Sequence, residues 1–171
     1  MSSTTRSLQP AGVDERRLLT AHHEAGHAIA YLNLGYSFRY ITLHPRTPGT
    51  TGFVAVHRPR SMLIADSAAI TLSGPLAEEA FRSVDIGEAP EDAAWAAAFA
   101  VSSADAGSHR EVDDGRDMLV RLGMPVELAV DGMANTLARD WAAVEALAQA
   151  LVMSPRRLDY REAQMIVEAS R

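Results

Sequence analysis

His23 and His27 lie four residues apart, and Glu24 directly follows the first of them. On an α-helix, side chains at i and i+4 share one face, so both imidazoles can reach a single metal ion with the carboxylate standing beside it. This is the HExxH spacing of zinc peptidases. Zinc lowers the pKa of a bound water to about 7 and polarises a carbonyl, while the glutamate takes the water's proton and hands it to the leaving amine. The expected chemistry is peptide-bond hydrolysis, with zinc on His23 and His27 and Glu24 as general base.

A zinc site of this kind takes three protein ligands and a water, so a partner must come from elsewhere. The chain has no cysteine, which leaves His, Asp and Glu. Asp105, in the connection over 102–108, and His109, in the first turn of the helix after it, are the two alternatives; Asp92, Asp113 and Asp114 are weaker candidates. His22 points about 100° away from His23 and reads as a packing or supporting residue. His44 and His57 read as strand or turn residues. Of the pair Glu78 and Glu79, Glu79 is expected to accept the second ring N–H of a ligand histidine and Glu78 to face solvent.

These residues need a frame. Asp14 as N-cap, Glu15 in the first turn and Gly35 as left-handed stop predict a helix over 15–34. Gly26 costs that helix about 1 kcal/mol relative to alanine, which points to a packing need. Alternation over 39–44, ended by Pro45, and again over 52–57 predicts an antiparallel pair against the motif helix. Gly52, Phe53 and Val54 are then placed to bind an extended substrate by adding it to the sheet edge. Helices follow over 61–72 and 76–81, separated by a break at Gly74-Pro75, and over 90–101. Another runs over 108–122, with Ser108 and Glu111 as a capping box and Gly123 as stop. The stretch 126–152 is helical with an interruption near Gly132, and 161–169 forms the last helix. The fold class is mainly α, with a small two- or three-stranded β element beside the HExxH helix.

At 171 residues and 47% hydrophobic content, one domain over 13–171 after a polar, disordered tail at 1–12 is the economical organisation. A net charge of −6 without long basic runs argues against nucleic acid; His57, Arg58 and Arg60 read as a solvated turn. The tail lacks the apolar core of a signal peptide, and no apolar run reaches the ~20 residues of a membrane span. A soluble, cytoplasmic protein with no membrane partner is expected.

Together the segments resemble the peptidase domain of the FtsH-type, ATP-dependent zinc protease family. The likeness is carried by Ala21-His22-His23-Glu24-Ala25-Gly26-His27-Ala28, by Ile41-Thr42-Leu43-His44-Pro45-Arg46 followed by Gly52-Phe53, and by Leu72-Ser73-Gly74-Pro75-Leu76-Ala77-Glu78-Glu79. It extends more weakly to 116–124, to 144–151 and to Leu158. The resemblance implies zinc on His23 and His27, Glu24 as base and the strand over 52–56 beside the cleft. The family's third ligand is an aspartate at the start of the helix before the Arg-to-Gly-Met stretch; His109 holds that place by register, and Asp105 matches by residue type with a shift. Family proteases also carry an ATPase module and usually membrane anchors, whereas this sequence has no GxxxxGK[ST] loop and no spanning segment. The resemblance therefore implies cleavage of peptides or unfolded protein, with a separate ATPase or adaptor as partner for folded substrates, and self-association of the kind family rings show.

Two other readings stay open at this level. One is a regulatory metallopeptidase that cleaves a single partner protein; the other is a nonenzymatic, zinc-stabilised interaction domain. Glu24 speaks against the latter, because a structural zinc site needs no base beside its ligands.

Overall fold

The computed structural model describes residues 14–44, 52–56, 61–85, 87–103 and 110–171. In chain order the elements are α1 (Glu15–Asn33), β1 (Phe38–Thr42), β2 (Phe53–Val56), α2 (Ile64–Asp85), α3 (Pro90–Ser103), α4 (Arg110–Arg121), α5 (Val126–Arg139), α6 (Trp141–Met153), β3 (Leu158–Asp159) and α7 (Tyr160–Ser170). The protein is mainly helical with a small antiparallel sheet in the order β2-β1-β3. No helix among the described residues is long and apolar enough to cross a membrane.

Helix α1 begins where the Asp14 side chain accepts from the Arg16 N–H. It ends at Gly35, whose φ of +75° is cheap only without a Cβ, and Tyr36 N–H then donates to the Tyr31 carbonyl at 2.9 Å. Its apolar face is buried against α2 and α6. The closest approach is at Gly26, where a Cβ would lie 2.3 Å from the Ser73 carbonyl oxygen and 2.7 Å from Ala77 Cβ. The glycine is therefore a packing requirement: no side chain fits between these two backbones.

Two helical expectations need correction. Gly74-Pro75 does not divide the helix; α2 runs unbroken from Ile64 to Asp85 with Pro75 inside it. Proline there withholds one N–H from the ladder, but Leu72, Gly74, Pro75, Leu76 and Ala77 are all buried, and packing against α1 holds the helix across the defect. The interruption in the 126–152 stretch also falls elsewhere. Gly132 is helical, and the chain breaks at Asp140, whose Oδ2 accepts from Asn33 Nδ2 at 2.7 Å and from Arg171 Nη2 at 3.1 Å. That break is set by contact with the end of α1 and the C-terminal residue.

Strand β1 pairs on both sides, with β2 (Ile41 opposite Val54, Thr42 opposite Phe53) and with β3 (Ile41 opposite Leu158). The two-residue β3 gives no periodic signal, and its existence follows from the capping box of Asp159 and Glu162 that starts α7 beside β1. Strand β2 lies at one edge, and among the described residues nothing pairs with its outer side. The alanines Ala93, Ala94, Ala97 and Ala98 of α3 are buried, and this helix packs on α2 and α5. The N-terminal tail and the turn holding His57, Arg58 and Arg60 lie outside the described residues.

Candidate metal centre

Helix α1 presents His23 and His27 on one face, and α2 crosses that face so closely that a Cβ at Gly74 would stand 2.3 Å from His27 Nε2 and 2.9 Å from His23 Nε2. Gly74 is thus the clearance the two rings need. The rings meet edge to face with centroids 4.7 Å apart.

Each ring is oriented through its Nδ1 by α2. His27 Nδ1 lies 2.7 Å from the Ile70 carbonyl oxygen, which can only accept, so Nδ1–H donates and Nε2 of the neutral ring carries a lone pair. His23 Nδ1 lies 3.0 Å from Glu78 Oε2, and the carboxylate likewise accepts from Nδ1–H. The two Nε2 atoms face each other at 3.1 Å. Helix α4 brings a third donor: Glu111 Oε2 is 2.9 Å from His23 Nε2 and 3.6 Å from His27 Nε2. That oxygen is buried and makes no hydrogen bond of ordinary geometry. Three atoms able to ligate therefore converge on one small volume, which a proton on His23 or a metal ion can occupy.

His23, His27 and Glu111 form a group that could hold a metal ion. A tetrahedral ion with ~2.1 Å bonds separates its ligand atoms by about 3.4 Å, and the observed spacings of 2.9, 3.1 and 3.6 Å bracket that figure. Protonation tells the same story. Burial disfavours the His23 imidazolium, yet the Glu111 and Glu78 carboxylates outweigh burial and push His23 up to about 10. Burial likewise favours neutral Glu111, but the His23 and His27 rings hold its carboxyl far below the usual range. The cluster is built to hold positive charge.

Glu24 is buried on the same helix, its side chain against Gly52. A Cβ at Gly52 would lie 2.9 Å from Glu24 Oε1, so glycine at the head of β2 leaves room for the carboxylate. Burial raises the proton affinity of Glu24, with His27 and His23 opposing.

The other candidate residues divide clearly. Asp105 and His109 lie outside the described residues, and among those described the third position belongs to Glu111. Asp92, Asp113 and Asp114 stay outside the group. The carboxylate on the His23 ring is Glu78, not Glu79: Glu79 is half-buried and lies 3.5 Å from Arg82 Nε. Arg82 also donates to Glu78 Oε1 at 2.7 Å, and the hydrogen bond with His23 holds the Glu78 carboxyl low. His22 is a packing residue, stacked on Phe81 at 3.8 Å, donating from Nδ1 to the Leu18 carbonyl and pushed down to about 4 by burial. His44 follows β1, and its Nε2 is 3.2 Å from Arg17 Nη2. Glu111 and Glu78 were both visible as helix carboxylates; only the crossing of α1 with α2 and α4 selects them.

Glu78→Gln is expected to lower metal affinity by about 10–100-fold, since the amide still fills the space but polarises the His23 ring less. Glu79→Gln should leave affinity unchanged. Competition with a chromogenic chelator measures both.

Compared with family models and with curated proteins, the chain matches none. Among its described residues the protein is mainly helical, with two histidines and one carboxylate that could hold a metal ion and a buried glutamate on the helix of the two histidines.

Proposed function

We propose that this chain is a zinc-dependent endopeptidase with the arrangement of the FtsH-type peptidase domain, acting on peptides and unfolded protein. The observation that carries the reading is the buried Glu24 beside three converging donor atoms, because a site of purely structural purpose needs four closed ligands and no base. Two imidazole nitrogens and one carboxylate oxygen suit zinc, and this donor set leaves a coordination position open. When bound, zinc supplies a Lewis acid and lowers the pKa of a coordinated water to about 7.

The chain's own residues do the rest. His23 and His27 hold the ion with tautomers fixed by Glu78 and the Ile70 carbonyl. Glu111 supplies the anionic ligand. Glu24 accepts the proton at its carboxylate and returns it to the leaving amine, a role that its raised proton affinity favours. Strand β2 starts at Phe53, next to Gly52 and hence next to Glu24, and its outer edge is free among the described residues; an extended peptide added there is held by main-chain hydrogen bonds. Backbone recognition of this kind tolerates many sequences.

The purified chain, loaded with one equivalent of zinc, is expected to digest casein or an unstructured peptide. Treatment with a chelator should stop digestion and added zinc restore it. Stoichiometric zinc with no cleavage of any unfolded substrate would overturn the reading in favour of an interaction domain.

A further inference from the structure

Strands β1 and β2 border a cleft of about 660 Å³ whose lining includes Tyr40, Thr42, His44, Phe53, Arg156 and Arg157. Its charge runs against the rest of the protein: the chain carries −6 overall, while this cleft is cationic. The Arg157 guanidinium lies 4.7 Å from the centre of the Tyr40 ring, and no carboxylate among the described residues pairs with it. Behind His44, Arg17 Nη2 donates to the Val152 carbonyl at 3.1 Å, its Nε is buried without a hydrogen bond, and it too has no described carboxylate partner. The nearby acids are already engaged. Glu162 binds both Nη atoms of Arg156, and Asp159 caps α7.

The cleft adjoins the metal centre through two elements. Phe53 follows Gly52, which abuts Glu24, and Thr20 Cγ2 abuts the same glycine. The Phe53 and Tyr40 ring centres are 5.6 Å apart and the Arg157 guanidinium is 4.7 Å from the latter, so Arg157 is no more than about 10 Å from the ring of Phe53. An extended peptide covers that distance in about three residues.

We propose that this cleft is a specificity subsite for an acidic side chain, Asp or Glu, about two to four residues from the scissile bond, with Arg157 as its principal contact. The proposal takes the position of the scissile bond from the hydrolase reading above, and so deepens that reading by naming the substrate class. A guanidinium stacked on an aromatic face is already oriented, so pairing with a carboxylate costs it little freedom. Arg17 adds positive potential from behind and attracts the same group.

The test uses short peptides ending in a hydroxamate, which fixes their register at the metal, with one Glu or Gln at successive positions and with the far terminus either free or blocked. Binding to the zinc-loaded full chain is followed by calorimetry. Glu at about the third position is expected to bind about tenfold more tightly than Gln, whatever the far terminus, with the advantage shrinking in high salt. The Glu/Gln ratio should fall to near one in Arg157→Gln, and Arg157→Glu should prefer Lys. A ratio near one at every position in the wild type overturns the subsite, as does a preference that follows only a free terminal carboxylate or survives both Arg157 variants. If no hydroxamate binds, the metal centre fails and the subsite with it. Preference in binding without cleavage of the matching amide peptides would leave the subsite standing and remove the hydrolase reading alone.

Discussion

Glu24→Gln is expected to reduce peptide hydrolysis by about 10²–10⁴-fold while leaving bound zinc unchanged. The amide has the shape of the carboxylate and fits the same buried space against Gly52, so the fold and the ligand set have no reason to move. What it lacks is a basic oxygen. In the wild type, burial raises the proton affinity of Glu24 and the neighbouring His27 and His23 temper that rise, which suits a group that must both take and release a proton. Metal content by mass spectrometry and single-turnover cleavage of an unstructured peptide measure the two halves. Hydrolysis within tenfold of wild type would assign the base elsewhere.

Glu111→Ala is expected to cost metal affinity more than 100-fold, beyond the range typical for losing a supporting carboxylate. Among the described residues only two imidazole nitrogens would then face the ion, and the one carboxylate of the group is gone. Asp105→Ala and His109→Ala should retain zinc. Glu111 is partly exposed near the start of α4, so its removal leaves the helix core of Val112 and Leu119 intact; circular dichroism should show an unchanged helical signal. Loss of zinc in Asp105→Ala or His109→Ala with retention in Glu111→Ala would reassign the ligand.

Residues with local consequences were readable in the sequence. The i, i+4 histidines, the Asp14 cap and the stops at Gly35 and Gly123 are properties of one helix end or one helix face, and each is found where its chemistry puts it. Glu111 could be seen only as a capping partner of Ser108, because nothing within α4 says which neighbour its first turn faces. The choice between Glu78 and Glu79 is a 100° rotation about α2, fixed only by how α2 crosses α1. Gly74-Pro75 carries the ordinary signal of a helix end, yet the glycine is there to clear two imidazoles, and burial holds the proline in the helix. The edge position of β2 depended on β3, two residues supplied from the far end of the chain.

Both ligand rings stand on α1, but their orientation is written in α2, through the Ile70 carbonyl and Glu78. The geometry of this group is therefore a gauge of how two helices are seated, and an ion bound there would be a rivet between them. A change along that seam, as at Gly26 against Ser73 and Ala77, should register as altered metal retention before it registers as loss of helix.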